Sequence, residues 1–82
     1  MPKVRVRLFA SHREVAHTGE VMVDLPEGAT VADLRDELER RVPALKGFRA
    51  STIVAVNGEF APEIRRIASR DELAIFPPVA GG

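Results

Sequence analysis

The chain contains no cysteine, so disulfide bonds, thiolate metal sites and cysteine nucleophiles are all excluded. It also has no excess charge of either sign, because 12 basic residues balance 12 acidic ones. Proteins that bind nucleic acid usually carry a clear basic excess, so this class of function is disfavoured. No apolar run approaches the roughly 18 residues of a membrane-spanning helix, and the first residues lack the apolar core of a signal peptide. We therefore expect a cytoplasmic protein that binds neither nucleic acid nor membrane.

Recognisable catalytic and metal-binding motifs are also lacking. The serines have no plausible histidine and carboxylate partners, and no glycine-rich loop opens a helix. His12 and His17 lie five residues apart on a short segment, whereas a metal site needs three or four donors, so both are expected to be solvated surface residues. A chain of 82 residues forms one domain, 1–82, with a modest core and no room for a deep active site as well. We expect no resident metal or cofactor.

Alternating apolar residues predict strands at both ends of the chain. Val4, Val6 and Leu8 point to one side of a first strand, and residues 20–25 alternate in the same way. These two segments are expected to form an antiparallel pair. Further along, Asn57-Gly58 is a strong hairpin signal, and the last strand is predicted over 73–76.

One long amphipathic helix is predicted from Thr30 to Val42. Thr30 and Asp33 fit a helix N-terminus, and Pro43 ends the helix because it disfavours helical geometry at Val42. A single apolar stripe lets this helix cover one face of a single mixed sheet, with the first and last strands parallel at its centre. The predicted fold class is therefore α+β. The stripe consists of Val31, Leu34, Leu38 and Val42.

Three shorter segments complete the prediction. Ser11 is expected to cap a short helical turn that ends at His17. Residues 44–51 are expected to be irregular, and Ile64–Ala68 to form one short helical turn.

The C-terminal residues are the exception to this lack of chemistry. The sequence ends in Gly81-Gly82, and Pro77-Pro78 stops the last strand because proline cannot donate to a strand ladder. We expect a flexible tail over 77–82. Glycines lack Cβ atoms, so such a tail can pass a narrow channel and bring the Gly82 carboxylate to an activating enzyme.

Three phenylalanines are candidates for a partner surface at the root of this tail. Phe9 falls on the outward side of the first strand, Phe76 ends the last strand, and Phe60 follows the hairpin. If the first and last strands are parallel neighbours, Phe9 and Phe76 lie at the same end of the sheet. An exposed apolar cluster there would mark a binding surface. The alternative is that one or more of them, above all Phe76, completes the core.

The last twelve residues, DELAIFPPVAGG, resemble the C-terminal signature of the molybdopterin synthase small-subunit family (MoaD), a branch of the MoaD/ThiS ubiquitin-like sulfur carriers. The resemblance extends over the whole chain, through Phe9-Ala10, Arg13-Glu14, 30–34 and 55–57. It implies a ubiquitin-like β-grasp fold.

The resemblance also implies a mechanism. A ubiquitin-activating-like (MoeB-like) adenylyltransferase uses ATP to adenylate Gly82, and a persulfide donor converts the carboxylate to a thiocarboxylate. The carrier then supplies sulfur for the molybdopterin dithiolene on a MoaE-like large subunit, where catalysis is expected to reside. In this family Gly81 and Gly82 form the reacting end. The implied partner contacts are Phe9, Phe60, Phe76, Pro77, Pro78, Val79 and Ala80.

Several related functions remain open at this stage. Val56-Asn57-Gly58-Glu59 also resembles the thiazole-synthesis carrier (ThiS), although that carrier usually lacks the Phe-Pro-Pro stretch. Carriers for cysteine synthesis and tRNA thiolation share the glycine ending. A ubiquitin-like protein modifier and a plain binding module are the alternatives from a different class.

Overall fold

The computed structural model describes residues 3–78. Five strands, two α-helices and one 3-10 segment follow one another along this part of the chain. They are β1 (Lys3–Leu8), α1 (Ala10–Ala16), β2 (Glu20–Asp24), α2 (Val31–Arg41), the 3-10 segment Pro43–Ser51, β3 (Ile53–Val56), β4 (Glu59–Phe60) and β5 (Leu73–Phe76). Within residues 3–78, neither helix is long and apolar enough to cross a membrane.

The strands form one mixed sheet in the order β2-β1-β5-β3-β4. β1 and β5 are parallel neighbours at its centre, with Leu8 opposite Ile75. The remaining pairs, β1 with β2, β5 with β3 and β3 with β4, are antiparallel. This arrangement confirms the predicted mixed sheet and its parallel central strands.

Helix α2 packs across one face of the sheet and begins with a capping box at Thr30. The Thr30 hydroxyl accepts a hydrogen bond from the Asp33 N–H at 3.3 Å, and the Asp33 carboxylate accepts one from the Thr30 N–H at 2.9 Å. The helix ends at Arg41, with Val42 as C-cap before Pro43. The predicted bounds are therefore confirmed to within the caps. The apolar stripe faces the sheet, and Leu34 is 0% exposed.

The sheet consequently has two unlike faces. Val4, Val6 and Leu8 are buried beneath α2, whereas the intervening β1 residues point away from the helix and are exposed. Strand β5 repeats the pattern, because Leu73 and Ile75 are buried while Ala74 and Phe76 are only half-buried. We call the side of the sheet opposite α2 the open face.

The structure confirms a short helix that ends at His17, its C-cap, but corrects its predicted start and the predictions for the other two segments. Helix α1 begins at Ala10, because the carbonyl of extended Phe9 accepts the N–H groups of His12 and Arg13 in place of a side-chain cap at Ser11. Pro43–Ser51 is a 3-10 segment rather than irregular chain, anchored by buried Leu45.

Residues 64–68 form no helical turn, because their backbone pairs with the residues at the start of α2. Arg66 pairs with Thr30 in an antiparallel bridge. The Arg65 carbonyl accepts the Val31 N–H at 2.9 Å, so it satisfies one of the amides that a helix N-terminus leaves unpaired.

His12 is also misplaced by the sequence-based expectation, because it is buried rather than solvated. Its side chain is 0% exposed, its Nε2 lies 2.6 Å from the Thr52 hydroxyl, and its ring centroid lies 5.4 Å from that of Phe48. These contacts come from Phe48 and Thr52, residues that are distant in the sequence. A local pattern cannot reveal such contacts. His17 is exposed, as expected.

Candidate functional site

The root of the C-terminal segment is the end of β5, the strand that is held on both sides. β5 is hydrogen-bonded to β1 on one side and to β3 on the other. After Phe76 the chain continues through half-buried Pro77 and exposed Pro78. The predicted reacting end, Gly81-Gly82, and the predicted contacts Val79 and Ala80 lie outside the described residues. The structure therefore defines the strand from which the segment departs and its first two prolines.

Two of the three candidate phenylalanines contact each other on the open face. The Phe60 and Phe76 ring centroids are 5.9 Å apart with a tilt of 49° between the ring planes. This spacing is typical of favourable aromatic pairs. Phe60 is 73% exposed, so the pair presents apolar surface to solvent at the end of β5. Phe76 is half-buried beside Ile53 on β3, which makes it part of this surface and not of the core beneath α2.

Phe9 extends this surface on the β1 side. The Leu8–Ile75 register and the hydrogen bond from the Phe9 N–H to the Ile75 carbonyl, 3.2 Å, place Phe9 at the same end of the sheet as Phe76. Phe9 is 42% exposed, and the Arg7 guanidinium carbon lies 5.8 Å from the centroid of its ring. The predicted co-location of Phe9 and Phe76 is thus confirmed. We call Phe9, Phe60 and Phe76 the phenylalanine platform; its role in binding a partner stays a prediction.

A hydrogen-bonded cluster holds the other end of β5. The Asn57 amide donates to Asp71 at 2.9 Å, and its carbonyl oxygen accepts the Glu72 N–H at 2.9 Å. Asn57 and Gly58 both have positive φ, 54° and 83°, as the tight β3–β4 hairpin requires. The Ala68 N–H and the Asn57 amide, together with nearby Arg65, hold the pKa of Asp71 below its ordinary value. Sequence reasoning identified this hairpin but missed the tie to β5, because the partner residues lie 14 and 15 positions away.

The interior contains one polar group that sequence reasoning misassigned. Buried His12 lines a cavity of about 20 Å³ together with Arg35, Thr52 and Ile75, and its Nδ1 has no hydrogen-bond partner among residues 3–78. Burial lowers the pKa of His12, which favours the neutral ring. Arg35 donates to the carbonyls of Arg49 and Thr52, so this cluster ties the 3-10 segment to α2. Its contacts indicate a structural role.

These features leave the open face and the end of β5 as the candidate functional site. Within residues 3–78, no group of three histidine or acidic side chains is placed to hold a metal ion. The phenylalanine platform offers apolar area and aromatic edges, which suit protein contacts better than bond-making chemistry. Any reactive group that this site presents is expected to arrive through the segment that follows Pro78.

Residues 6–82 match the ThiS family. The chain belongs to the MoaD/ThiS family of sulfur carriers. Among curated relatives, the molybdopterin synthase sulfur carrier subunit of Arabidopsis thaliana is 35% identical over 80 residues, covering 98% of this chain and 83% of the relative. The Mycobacterium tuberculosis protein of the same name is 35% identical over 83 residues and is covered completely, as is this chain. The small archaeal modifier protein 1 of Haloferax volcanii is 40% identical, with 93% of this chain and 97% of the relative covered.

Solved structures show the same ubiquitin-like β-grasp fold. The crystal structure of Haloferax volcanii small archaeal modifier protein 1 has a TM-score of 0.87 at 38% identity, covering 96% of this chain and 100% of that one. CysO from the Amycolatopsis orientalis BexX/CysO complex has a TM-score of 0.75 at 27% identity, with 96% and 99% covered. A Helicobacter pylori complex of subunits 1 and 2 of molybdopterin-converting factor matches at 20% identity with a TM-score of 0.69, over 98% and 99% of the chains, and this likeness shows the fold alone.

Proposed function

We propose that this chain is the sulfur carrier subunit of molybdopterin synthase and that the Gly82 carboxylate carries the sulfur. The observation that carries this proposal is the contact between Phe60 and Phe76 at the end of β5, directly before the sequence Pro-Pro-Val-Ala-Gly-Gly. A carrier needs a fixed docking surface beside a narrow reactive end, and this juxtaposition supplies the surface at the root of such an end. Relatives that bear this name, from a plant and a bacterium, cover 98% and 100% of the chain.

The proposed reaction begins at a partner enzyme. A MoeB-like adenylyltransferase joins the Gly82 carboxylate to AMP from ATP, with release of pyrophosphate. The outer sulfur of a donor persulfide then attacks the acyl carbon, and AMP leaves. A thiol of the donor protein cleaves the resulting sulfur–sulfur bond, which leaves a thiocarboxylate on Gly82. Because the activation consumes ATP, we place it in the cytoplasm.

The charged carrier then docks on a MoaE-like large subunit, where the thiocarboxylate supplies sulfur for the dithiolene of molybdopterin. The proposed docking contacts are the phenylalanine platform together with Pro77 and Pro78, which restrict the direction in which the chain leaves β5. Such restriction matters because a misplacement of about 1 Å at a reacting centre can lower the rate about 100-fold. Two sulfurs are required, so carriers act in succession or in pairs.

Intact-protein mass spectrometry tests the carrier chemistry. After incubation with ATP, the adenylyltransferase and a persulfide donor, the full chain should show one oxygen exchanged for sulfur. A chain that lacks Gly82 should stay uncharged while keeping its fold, because a terminal residue makes few packing contacts. Circular dichroism supplies the control for folding. Sulfur acceptance by the truncated chain would reject Gly82 as the carrying group.

Partner choice separates this proposal from other sulfur carriers. The chain should bind the molybdopterin synthase large subunit at micromolar concentration or better and thiazole synthase much more weakly. The likeness to CysO makes a cysteine-synthesis partner the third titration. Tighter binding to either competitor, with no molybdopterin formed from the charged carrier, would reverse this assignment.

A protein modifier is the second candidate, and a specific observation favours it. The relative named small archaeal modifier protein 1 is 40% identical, and its crystal structure matches with a TM-score of 0.87. In that case the activated Gly82 carboxylate would form an amide bond with lysine side chains of other proteins, with AMP as the leaving group. Lysine adducts that form under the charging conditions, without sulfur transfer to the large subunit, would favour this function.

A further inference from the structure

The outward side chains of β1 form a row of three cations, and two of them have acidic partners. Lys3 lies 4.0 Å from the Asp24 carboxylate, and Arg5 lies 2.9 Å from that of Glu20. Both acidic residues belong to the neighbouring strand β2. Glu20 lies opposite Arg7 in the strand register, but its carboxylate contacts Arg5 diagonally.

Arg7, the third cation, is different. It is exposed, and no carboxylate within residues 3–78 lies within 4 Å of its guanidinium nitrogens. Its guanidinium carbon is instead 5.8 Å from the centroid of the Phe9 ring. An arginine over an aromatic ring keeps its N–H donors available at the rim, so Arg7 presents a fork of donors that makes no salt bridge within residues 3–78, beside the phenylalanine platform.

The register places Arg7 inside the area that a docked partner would cover. Arg7 lies opposite Ala74, Ala74 opposite Ala55, and Ala55 opposite Phe60, so one row crosses β1, β5, β3 and β4. Three strand spacings separate its ends, about 14 Å. A standard interface buries about 800 Å² on each partner, which corresponds to a patch roughly 30 Å across. A partner that covers Phe60 and Phe76 therefore extends to Arg7.

Covering an unpaired guanidinium with apolar surface alone would be costly, since a desolvated charge needs a partner. Ala55 and Ala74, in the middle of the row, have short side chains. The long side chains of Arg7 and Phe60, at its two ends, therefore project furthest toward a partner. A carboxylate is the acceptor that matches the planar arginine fork with two parallel hydrogen bonds.

We infer that Arg7 is a specificity-determining contact, which binds a carboxylate on the protein that docks against the phenylalanine platform. This inference rests on the docking part of the proposed function and adds the chemistry of the partner at one position. It predicts that partners carry an aspartate or glutamate about 14 Å, or three strand spacings, from the apolar surface that receives Phe60. Proteins with a neutral or basic residue there are rejected, because Arg7 would be buried without an acceptor.

Calorimetric titration of the large subunit tests this inference. Arg7→Gln should weaken binding about 10-fold, and Arg7→Glu should weaken it further, because like charges then meet. Arg7→Lys should retain part of the affinity, since it keeps the charge and loses the fork. Raising the salt concentration should weaken binding of the unmodified chain more than that of Arg7→Gln. Circular dichroism checks that each variant is folded.

Lys46→Glu is the matched control. It makes the same change in net charge as Arg7→Glu, but on the 3-10 segment, at an exposed position away from the open face, and should alter the affinity less than about twofold. Arg7 variants that bind as well as the unmodified chain, or more tightly, would overturn the inference.

A parallel titration with the adenylyltransferase separates this inference from the proposed function. If the chain does not bind the large subunit but binds the adenylyltransferase in an Arg7-dependent manner, the molybdopterin assignment is rejected and the Arg7 contact is retained. Binding to the large subunit that depends on Phe60 and not on Arg7 would retain the assignment and reject the contact. An unmodified chain that binds neither protein would overturn both.

Discussion

The two faces of the sheet differ in what covers them, although the same strands supply both. On the side of α2, Val6 and Leu8 of β1 and Ile75 of β5 are 0%, 1% and 2% exposed. On the open face, Phe60 is 73% exposed. Because side chains alternate along a strand, neighbouring residues that point in opposite directions supply the buried core and the proposed binding surface. Substitutions should therefore separate the two properties.

The largest effect on stability is expected at the helix-covered face. Leu34 is 0% exposed at the centre of the α2 stripe, so Leu34→Ala removes apolar contacts and leaves a cavity. The free energy of unfolding should fall by about 2–5 kcal/mol. Chemical denaturation measures this change. A shift near zero would mean that α2 does not pack on the sheet through Leu34.

His12 provides a pH-dependent contrast on the same side of the sheet. Burial lowers its pKa in the folded state, so below the ordinary histidine value of about 6.5 the unfolded chain binds a proton that the folded chain does not. The free energy of unfolding should thus be highest above about pH 6.5. It should decline as the pH falls toward the folded-state pKa, by at most about 1.4 kcal/mol per pH unit for one proton.

Denaturation curves between about pH 7.5 and about pH 5, which bracket the ordinary histidine pKa, measure this decline. His12→Gln should flatten it. The control is His17→Asn, which replaces an exposed histidine at a positive-φ position with a residue that tolerates this conformation. Equal slopes for both variants and the unmodified chain would show that His12 is not the titrating group.

A smaller effect is expected at the start of α2. Thr30→Ala removes the hydroxyl that accepts the Asp33 N–H, so the free energy of unfolding should fall by about 1 kcal/mol. Thr30→Ser keeps the acceptor and serves as the control in the same denaturation experiment. If the alanine and serine variants proved equally stable, the carbonyls of residues 63 and 65, which accept the first helix amides, would be sufficient to hold the helix end.

Much of this division between faces is predictable from the sequence, because it depends on local periodicity. The alternation of Val4, Val6 and Leu8 fixes which side of β1 is buried, and Thr30 and Pro43 bound α2. His12 escapes such reasoning, since its burial comes from contacts with Phe48 and Thr52 on a segment distant in sequence. A helix of seven residues is also too short for its periodicity to show which side is covered.

The candidate site likewise has features that the sequence predicts and features that it does not. The positions of Phe9 and Phe76 follow from strand phase and from the parallel pairing of β1 with β5. The distinction among the three β1 cations does not follow from the sequence, because it depends on which cation each β2 carboxylate contacts. Glu20 lies opposite Arg7 in the strand register, yet its carboxylate contacts Arg5. Lys3 and Arg5 each have a carboxylate within 4.0 Å, and Arg7 has none within residues 3–78. Sequence alone presents all three as equivalent outward cations.

Substitution of Phe60 should have the smallest effect on stability and one of the larger effects on binding. This side chain is 73% exposed and contacts Phe76 across the open face, so Phe60→Ala should change the free energy of unfolding by no more than about 0.5 kcal/mol. The same change should weaken binding to the large subunit by about 1–3 kcal/mol, because it removes an aromatic anchor from the phenylalanine platform. Denaturation and calorimetric titration of one preparation measure both quantities.

Ile64 gives the matched control for that contrast. It is 83% exposed, comparable in its apolar character, and lies in the segment that caps α2 rather than in the phenylalanine platform. Ile64→Ala should leave both stability and binding nearly unchanged, whereas Phe60→Ala should change only binding. If the two variants lost affinity equally, the binding surface would extend around the β4 edge of the sheet toward the start of α2. If Phe60→Ala lowered the free energy of unfolding instead, the Phe60–Phe76 contact would stabilise the fold. Stability and binding would then not be assigned to opposite faces of the sheet.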